Sequence, residues 1–195
     1  MLQFIASKSE RYSIEEQVKM VLEAGCKWIE LNIDGATNEE AISIIEKIIP
    51  QCKESDAILV IDDNIEIVKD IEVTGVRLCK KEINAADSRN VLEGGPIIGV
   101  NVSTAGDIYA LKGIDVDYVA LGTFETLGLE SYKKIVSEVR ESGVELPIVA
   151  YGDITLENID EIMATGVNGV AMNKAIVNSE NPVEYTKAVL DKLYK

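Results

Sequence analysis

Histidine is absent from this chain, and no other single feature of the sequence excludes as much chemistry. Without an imidazole there is no ordinary general base at neutral pH, no Ser-His or Cys-His nucleophile, and no route to most zinc sites. Cysteine is scarce as well. Cys26, Cys52 and Cys79 are an odd, scattered set with no C-x-x-C spacing, which reads as free thiols in a reducing compartment. Long apolar runs are missing too: none approaches the roughly 18–20 residues that a membrane span needs. The short apolar stretch in MLQFIASKSER does not make a signal peptide. Cytoplasmic residence without a membrane partner is the resulting expectation. Basic residues are outnumbered, 19 against 34 acidic, for a net charge of −15. A polyanion needs a basic surface that displaces counterions, so nucleic acid is not expected as a partner. An anionic ligand would need a local cup of backbone N–H groups, cations or metal.

What is present is a repeated switch between short apolar runs and amphipathic stretches, in a chain of 195 residues that suits one domain over 1–195. The predicted strands are 2–6, 28–32, 57–61, 75–78, 96–100, 117–122, 147–151 and 169–172. Their Val and Ile content, without strict alternation, fits parallel strands buried on both faces. Ser13-Ile14-Glu15-Glu16 starts a helix that ends near Gly25, and Thr37-Asn38-Glu39-Glu40 starts one running toward Pro50. Further helices are predicted at about 63–70, 84–92, 104–112, 130–142, 156–164 and 183–194. An open doubly wound sheet usually carries a Gly-rich loop after its first strand; here Ser7-Lys8-Ser9 stands there instead. Eight β-then-α units with short connections therefore predict an α/β protein, a single (β/α)₈ TIM barrel at the small end of its size range.

In that architecture the working residues lie at the C-terminal ends of the strands. One group there is carboxylate: Asp62 and Asp63 after the third strand, Glu82 after the fourth, with Asp34 as a neighbour. Such oxygen ligands suit Mg²⁺, which binds through one or two carboxylates plus substrate phosphate, and Asp63 with Glu82 form the expected metal pair. The alternative for Asp62 or Asp63 is an N-cap of the following helix. A second group is directed at phosphate: Gly152 after the seventh strand, Asn173 and Lys174 after the eighth, where backbone N–H groups and a short helix favour an anion. Further ligand-facing candidates are Glu30, Asn32, Lys80, Asn101 and Thr126. The run Arg77-Leu78-Cys79-Lys80-Lys81-Glu82 is the densest basic cluster of an acidic chain, read either as a diphosphate holder or as a solvated loop. Cys79 has no base to activate it and reads as a packing residue.

Several segments resemble, in order and spacing, the successive motifs of the thiamine phosphate synthase family. They are Ile61-Asp62-Asp63-Asn64, Gly75 to Glu82, Ile98-Gly99-Val100-Asn101, Asp117 to Gly122, Pro147 to Ile154 and Gly166 to Ala171, within about residues 2 to 178. The resemblance implies a TIM barrel that joins hydroxymethylpyrimidine diphosphate to a thiazole phosphate, releasing diphosphate with Mg²⁺. It implies a phosphorylated small-molecule substrate, and the sequence leaves open a homo-oligomer. The superfamily's thiazole tautomerase branch relies on a histidine that this chain lacks. The family's metal-binding Asp corresponds to Asp63 and its second one to Glu82. Departures are concentrated in the cations. The family's Q-x-R-x-K motif falls on Glu30, Asn32 and Asp34, its Ser after the fifth strand on Asn101, and its T-x-T-K flap on a shorter Phe124-Glu125-Thr126-Leu127-Gly128 without lysine. Its Gly-Gly-Ile turn keeps only Gly152. Either Arg77, Lys80 and Lys81 replace the lost cations, or the chain is a catalytically degenerate relative that binds a phosphorylated metabolite without turnover. Schiff-base chemistry of another phosphate-handling barrel would need a lysine in a strand core, and no predicted strand carries one.

Overall fold

A computed structural model describes residues 1–71, 73–80, 84–93 and 95–194. The strands are β1 (Leu2–Ala6), β2 (Trp28–Leu31), β3 (Ile58–Asp62), β4 (Gly75–Leu78), β5 (Ile97–Val102), β6 (Tyr118–Leu121), β7 (Ile148–Tyr151) and β8 (Gly169–Met172). All neighbours pair in parallel and β1 also pairs with β8, closing the barrel in sequential order. Around it run α1 (Ile14–Glu23), α2 (Asn38–Glu54), α3 (Ile65–Asp70), α4 (Ala85–Leu92), α5 (Ala105–Ala110), α6 (Phe124–Glu141), α7 (Ile159–Met163), α8 (Lys174–Val177) and α9 (Pro182–Leu193). The predicted fold is therefore the observed one.

Local chemistry explains the helix starts. Ser13 and Glu16 form a reciprocal capping box, Glu16 Oε2 accepting from Ser13 N at 2.8 Å, and Thr37 with Glu40 repeats it at 2.9 Å. One end differs from expectation: α2 runs through Pro50 to Glu54. Pro50 is exposed, and Cys52 one turn-half later packs into the core, so buried contact outweighs the lost N–H bond. The predicted helix at 130–142 also begins earlier, at Phe124, with a break at Gly128, whose φ of 71° and ψ of 166° are not helical. No helix among the described residues is long and apolar enough to cross a membrane.

The core is double. The larger part lies between strands and helices and includes Phe4, Ile29, Ile61, Ile98, Leu121 and Ile148. A smaller part fills the barrel itself: Tyr118, Val149 and Ala171 with Ile5, Trp28, Ile97 and Tyr151 packed against them. Two glycines make room for its rings. A Cβ on Gly99 would lie 2.1 Å from Tyr118 Cζ, and one on Gly122 would lie 2.3 Å from Tyr151 Cε1. Tyr118 meets Trp28 edge-on at 4.9 Å and accepts a hydrogen bond from Gln3 Nε2 at 3.0 Å. These rings pack the lower barrel beneath the C-terminal mouth.

Candidate active site

The mouth is built on a charge network inside the strands. Glu30 sits in register between Ile5 of β1 and Val60 of β3, pointing into the barrel, and is fully buried. Arg77 of β4 reaches across β3: its Nη2 lies 2.5 Å from Glu30 Oε1 and its Nε 3.6 Å from Asp62 Oδ1. Its guanidinium also sits 5.3 Å from the centre of the Tyr151 ring. Asn32 Nδ2 donates to Asp62 Oδ2 at 2.9 Å. Burial pushes the Glu30 carboxyl well above the usual carboxylate range; Arg77 opposes the rise and the Asp62 charge adds to it. Burial raises Asp62 as well, against Arg77. Burial thus favours the neutral form at both carboxyls, and Arg77 opposes it at both. Arg77 stays charged, its two carboxyl neighbours outweighing the cost of burial.

Above this network, Asp63 takes a left-handed backbone conformation with φ of 55°, uncommon for a non-glycine residue. Its Oδ1 explains the conformation by accepting from Cys79 N at 2.6 Å and Lys80 N at 3.2 Å, tying the ends of β3 and β4 together. Neither Asp62 nor Asp63 caps α3. Asn64 does so, its side chain accepting from Ile67 N at 3.2 Å. Lys80 Nζ bridges Asp34 Oδ1 at 3.4 Å and Asp63 Oδ2 at 3.8 Å.

These contacts bear on the cations of the Arg77 to Glu82 run. Arg77 is engaged by Glu30 and Asp62 and buried beneath the mouth, and Lys80 is engaged by Asp34 and Asp63. Arg77 is thus committed below the mouth, whereas Lys80 is exposed at the rim with its ammonium 3.4 and 3.8 Å from two carboxylates. Lys81 and Glu82 lie outside the described residues.

The far side of the mouth holds the residues expected at phosphate. A cavity of about 610 Å³ is lined by Tyr151, Gly152, Asp153, Asn173 and Lys174 together with Glu125 and Asn32. A second, of about 290 Å³, is lined by Asn32, Asp34, Asp62, Asp63, Cys79 and Lys80. Asn32 borders both, so the two cavities adjoin. Gly152 has φ of 127°, open to glycine alone, and a Cβ there would meet Glu125 Oε2 at 2.2 Å. Glu125 Oε2 accepts from Asp153 N at 3.1 Å. Thr126 is exposed in the first turn of α6, its hydroxyl 2.9 Å from that of Thr123 at the N-cap. Asn101 is half-buried on β5, its Oδ1 buried without a hydrogen-bond partner among the described residues. Asn173 Nδ2 donates to Ile5 O at 2.5 Å, fixing the β8 end to β1.

The structure thus brings Glu30, Asn32, Asp62, Asp63 and Lys80 together on one side, and Gly152, Asn173 and Lys174 on the other. Sequence reasoning missed the pairing of Glu30 with Arg77 and the insertion of Glu125 against the Gly152 turn. The first had a signal: an arginine between Val76 and Leu78 in a buried strand needs a buried carboxylate partner. The second had none, because it depends on how the loop after β6 folds back.

Fold and site together define a (β/α)₈ barrel whose polar mouth, at the C-terminal strand ends, is divided between an acidic half and a glycine-and-lysine half. Residues 2–176 match the family model described as thiamine monophosphate synthase, and the chain belongs to that family. A thiamine-phosphate synthase of Bacteroides fragilis is 40% identical over 200 residues, covering 97% of this chain and 98% of that protein. One from Flavobacterium psychrophilum is 32% identical, covering 98% of each. Among solved structures, a thiamine phosphate pyrophosphorylase from Pyrococcus furiosus superposes with a TM-score of 0.88 at 25% identity, covering 98% of this chain and 94% of that one.

Proposed function

We propose that this barrel is a transferase of thiamine biosynthesis, joining hydroxymethylpyrimidine diphosphate to thiazole phosphate at its C-terminal mouth. The observation that carries the reading is the pair of adjoining cavities, about 290 and 610 Å³, which share Asn32 and suit two substrates meeting there. In the reaction the C–O bond to the diphosphate breaks, the diphosphate leaves with the electron pair, and the thiazole nitrogen forms the new C–N bond to the pyrimidine carbon. No general base is required, which accommodates a chain without histidine. Positioning and charge stabilisation would supply the rate. The acidic wall of Asp34, Asp62 and Asp63 favours the positive charge that develops on the pyrimidine, and the Asn32 amide, held by Asp62, sits at the junction where the two substrates meet. The Glu30–Arg77–Asp62 network positions this wall from below.

A divalent cation fits in part. Mg²⁺ takes one or two carboxylates plus substrate phosphate oxygens. Asp63 qualifies through Oδ2, which faces only Lys80 at 3.8 Å, while Asp62 is committed to Asn32 and Arg77. The described residues include no group of three carboxylates or thiols suited to a metal, and Glu82 lies outside them. Mg²⁺ at Asp63 would neutralise the departing diphosphate. Free, non-nucleophilic thiols and the small-molecule chemistry support a cytoplasmic setting.

The loss of free cations on the acidic side favours a second reading, binding of a phosphorylated thiamine precursor without turnover. Purified protein with both substrates and Mg²⁺, followed by chromatographic detection of thiamine phosphate, separates them. Product formation that falls at least tenfold in Asp63→Asn supports the transferase. No product with any divalent metal, alongside saturable binding of thiazole phosphate, replaces it by the second reading.

A further inference from the structure

From the first turn of α6 we infer that Glu125 is a built-in competitor for the anion of the substrate: its carboxylate holds the backbone N–H of Asp153 in the resting protein and has to withdraw before a phosphate oxygen can take that N–H. This rests on the proposed function and concerns how access to its site is controlled. Barrels of this class take phosphate at the loops after their seventh and eighth strands. In this chain a carboxylate from the β6–α6 junction already stands there. Glu125 Oε2 accepts from Asp153 N at 3.1 Å, beside the bare backbone of Gly152. The N–H groups that follow are committed to fixed partners. Ile154 donates to Gly152 O at 2.8 Å, Thr155 to Asn158 Oδ1 at 2.8 Å, and Leu156 to the Tyr185 hydroxyl at 3.0 Å. Asn158 Nδ2 in turn donates to Asp153 O at 2.9 Å, fixing the other side of that peptide. Of the N–H groups of residues 153–156, the Asp153 one alone is held by an exposed side chain.

The segment that carries Glu125 is built to let go. Glu125 has no ion pair among the described residues, so a single charge-assisted hydrogen bond secures its carboxylate. It stands on one turn, in which Thr126 N and Leu127 N donate to Thr123 O at 3.0 and 2.9 Å. Gly128, with φ of 71° and ψ of 166°, separates that turn from the rest of α6. Beyond the break the helix is anchored, because the fully buried Tyr132 donates its hydroxyl to Leu121 O. Phe124 meets the Tyr132 ring edge-on with centroids 5.5 Å apart, so Phe124 and Gly128 bracket the part that moves, Glu125–Leu127. One helical turn is not stable by itself. The Glu125–Asp153 contact therefore ties this turn to β7, and losing the contact loosens it. A phosphate arriving at Asp153 N meets a like charge on the same donor, and the two cannot share it. Glu125, Gly152 and Asp153 all line the 610 Å³ cavity, so the competition takes place inside the site.

The test is calorimetric titration of the full chain, wild type against Glu125→Ala and Glu125→Gln, with three probes: the thiazole phosphate, its unphosphorylated alcohol, and inorganic phosphate. Glu125 is exposed, and melting temperatures check that both variants keep the fold. Glu125→Ala should bind both phosphate-bearing probes about tenfold more tightly than wild type, corresponding to about 1.4 kcal/mol. Glu125→Gln keeps an acceptor without the charge and should gain about threefold. Affinity for the alcohol should stay within about twofold in both. Hydrogen exchange read by mass spectrometry supplies a second measurement. The Thr126 and Leu127 amides should exchange faster in wild type saturated with thiazole phosphate, and in ligand-free Glu125→Ala, than in ligand-free wild type. Unchanged or weaker binding of the phosphate-bearing probes by Glu125→Ala overturns the competitor while leaving the transferase reading intact. Unchanged or slower exchange at Thr126 and Leu127 on ligand binding, the sign of a turn that stays or closes over the ligand, overturns it as well. So does failure of both wild type and Glu125→Ala to bind either phosphate-bearing probe. Tighter binding of inorganic phosphate by Glu125→Ala, without binding of the thiazole phosphate, upholds the competitor and refutes the proposed substrate instead.

Discussion

Replacing Glu30 by Gln tests the effect of burial on the carboxyl at the centre of the charge network. Glu30 is fully buried, and burial pushes its carboxyl well above the usual carboxylate range, with Arg77 opposing the rise and Asp62 adding to it. The unfolded chain releases that proton in the ordinary range. Between the ordinary and the raised value, the folded state therefore holds more protons than the unfolded state, and stability falls as pH rises. The contribution is complete below the ordinary carboxylate range and is lost as pH climbs through the raised value. One retained proton corresponds to about 1.4 kcal/mol per pH unit, or roughly 3 kcal/mol over two units inside the window. Glutamine keeps the shape and cannot ionise, so Glu30→Gln should remove that slope. Urea unfolding at closely spaced pH values between about 5 and 8 measures it, with m-values checked for constancy. Carboxylates remote from the network titrate alike in both proteins, so the difference between the two curves reports Glu30 together with its coupled neighbour Asp62. Parallel curves for wild type and Glu30→Gln would refute the raised Glu30 carboxyl.

Arg77→Met should destabilise by about 3–5 kcal/mol, because it leaves Glu30 and Asp62 buried without their cation; calorimetry should show the melting temperature down by roughly 10 °C, and a change under 2 °C would contradict the network. Gly152→Ala should cost about 1–3 kcal/mol, since the new Cβ would lie 2.6 Å from Phe124 N with φ at 127°. Glu125→Ala in the same chain should not rescue it, as judged by thermal melting, because the backbone clash remains. Asn64→Ala removes the α3 cap and should cost about 1 kcal/mol by chemical denaturation. Burial pushes the Cys26 and Cys52 thiols up to about 11 and raises Cys79 as well. Ellman's reagent near pH 8 should therefore leave the folded protein's thiols slow to react and label all of them quickly in denaturant.

The barrel was legible because each of its units is written locally. Ser13 with Glu16 and Thr37 with Glu40 mark helix starts within four residues, and Val-Ile-Leu runs such as Leu59 to Ile61 mark strands buried on both faces. Eight such units in alternation admit few architectures. Positions at the strand ends followed directly, which is why Asn32, Asp62, Asp63, Gly152, Asn173 and Lys174 all line the mouth. The early start of α6 was not legible, since Gly128 interrupts the helical pattern and only packing carries the helix back to Phe124.

By itself, then, the sequence determined the alternation of elements, the end of the barrel that carries polar chemistry, and the exclusion of imidazole catalysis. Tertiary structure alone decided which charges cancel. Glu30 and Arg77 stand on strands separated by β3, and Asn173 reaches the Ile5 carbonyl near the other end of the chain because β8 pairs with β1. Coulombic interaction depends on distance and burial, and barrel closure sets both.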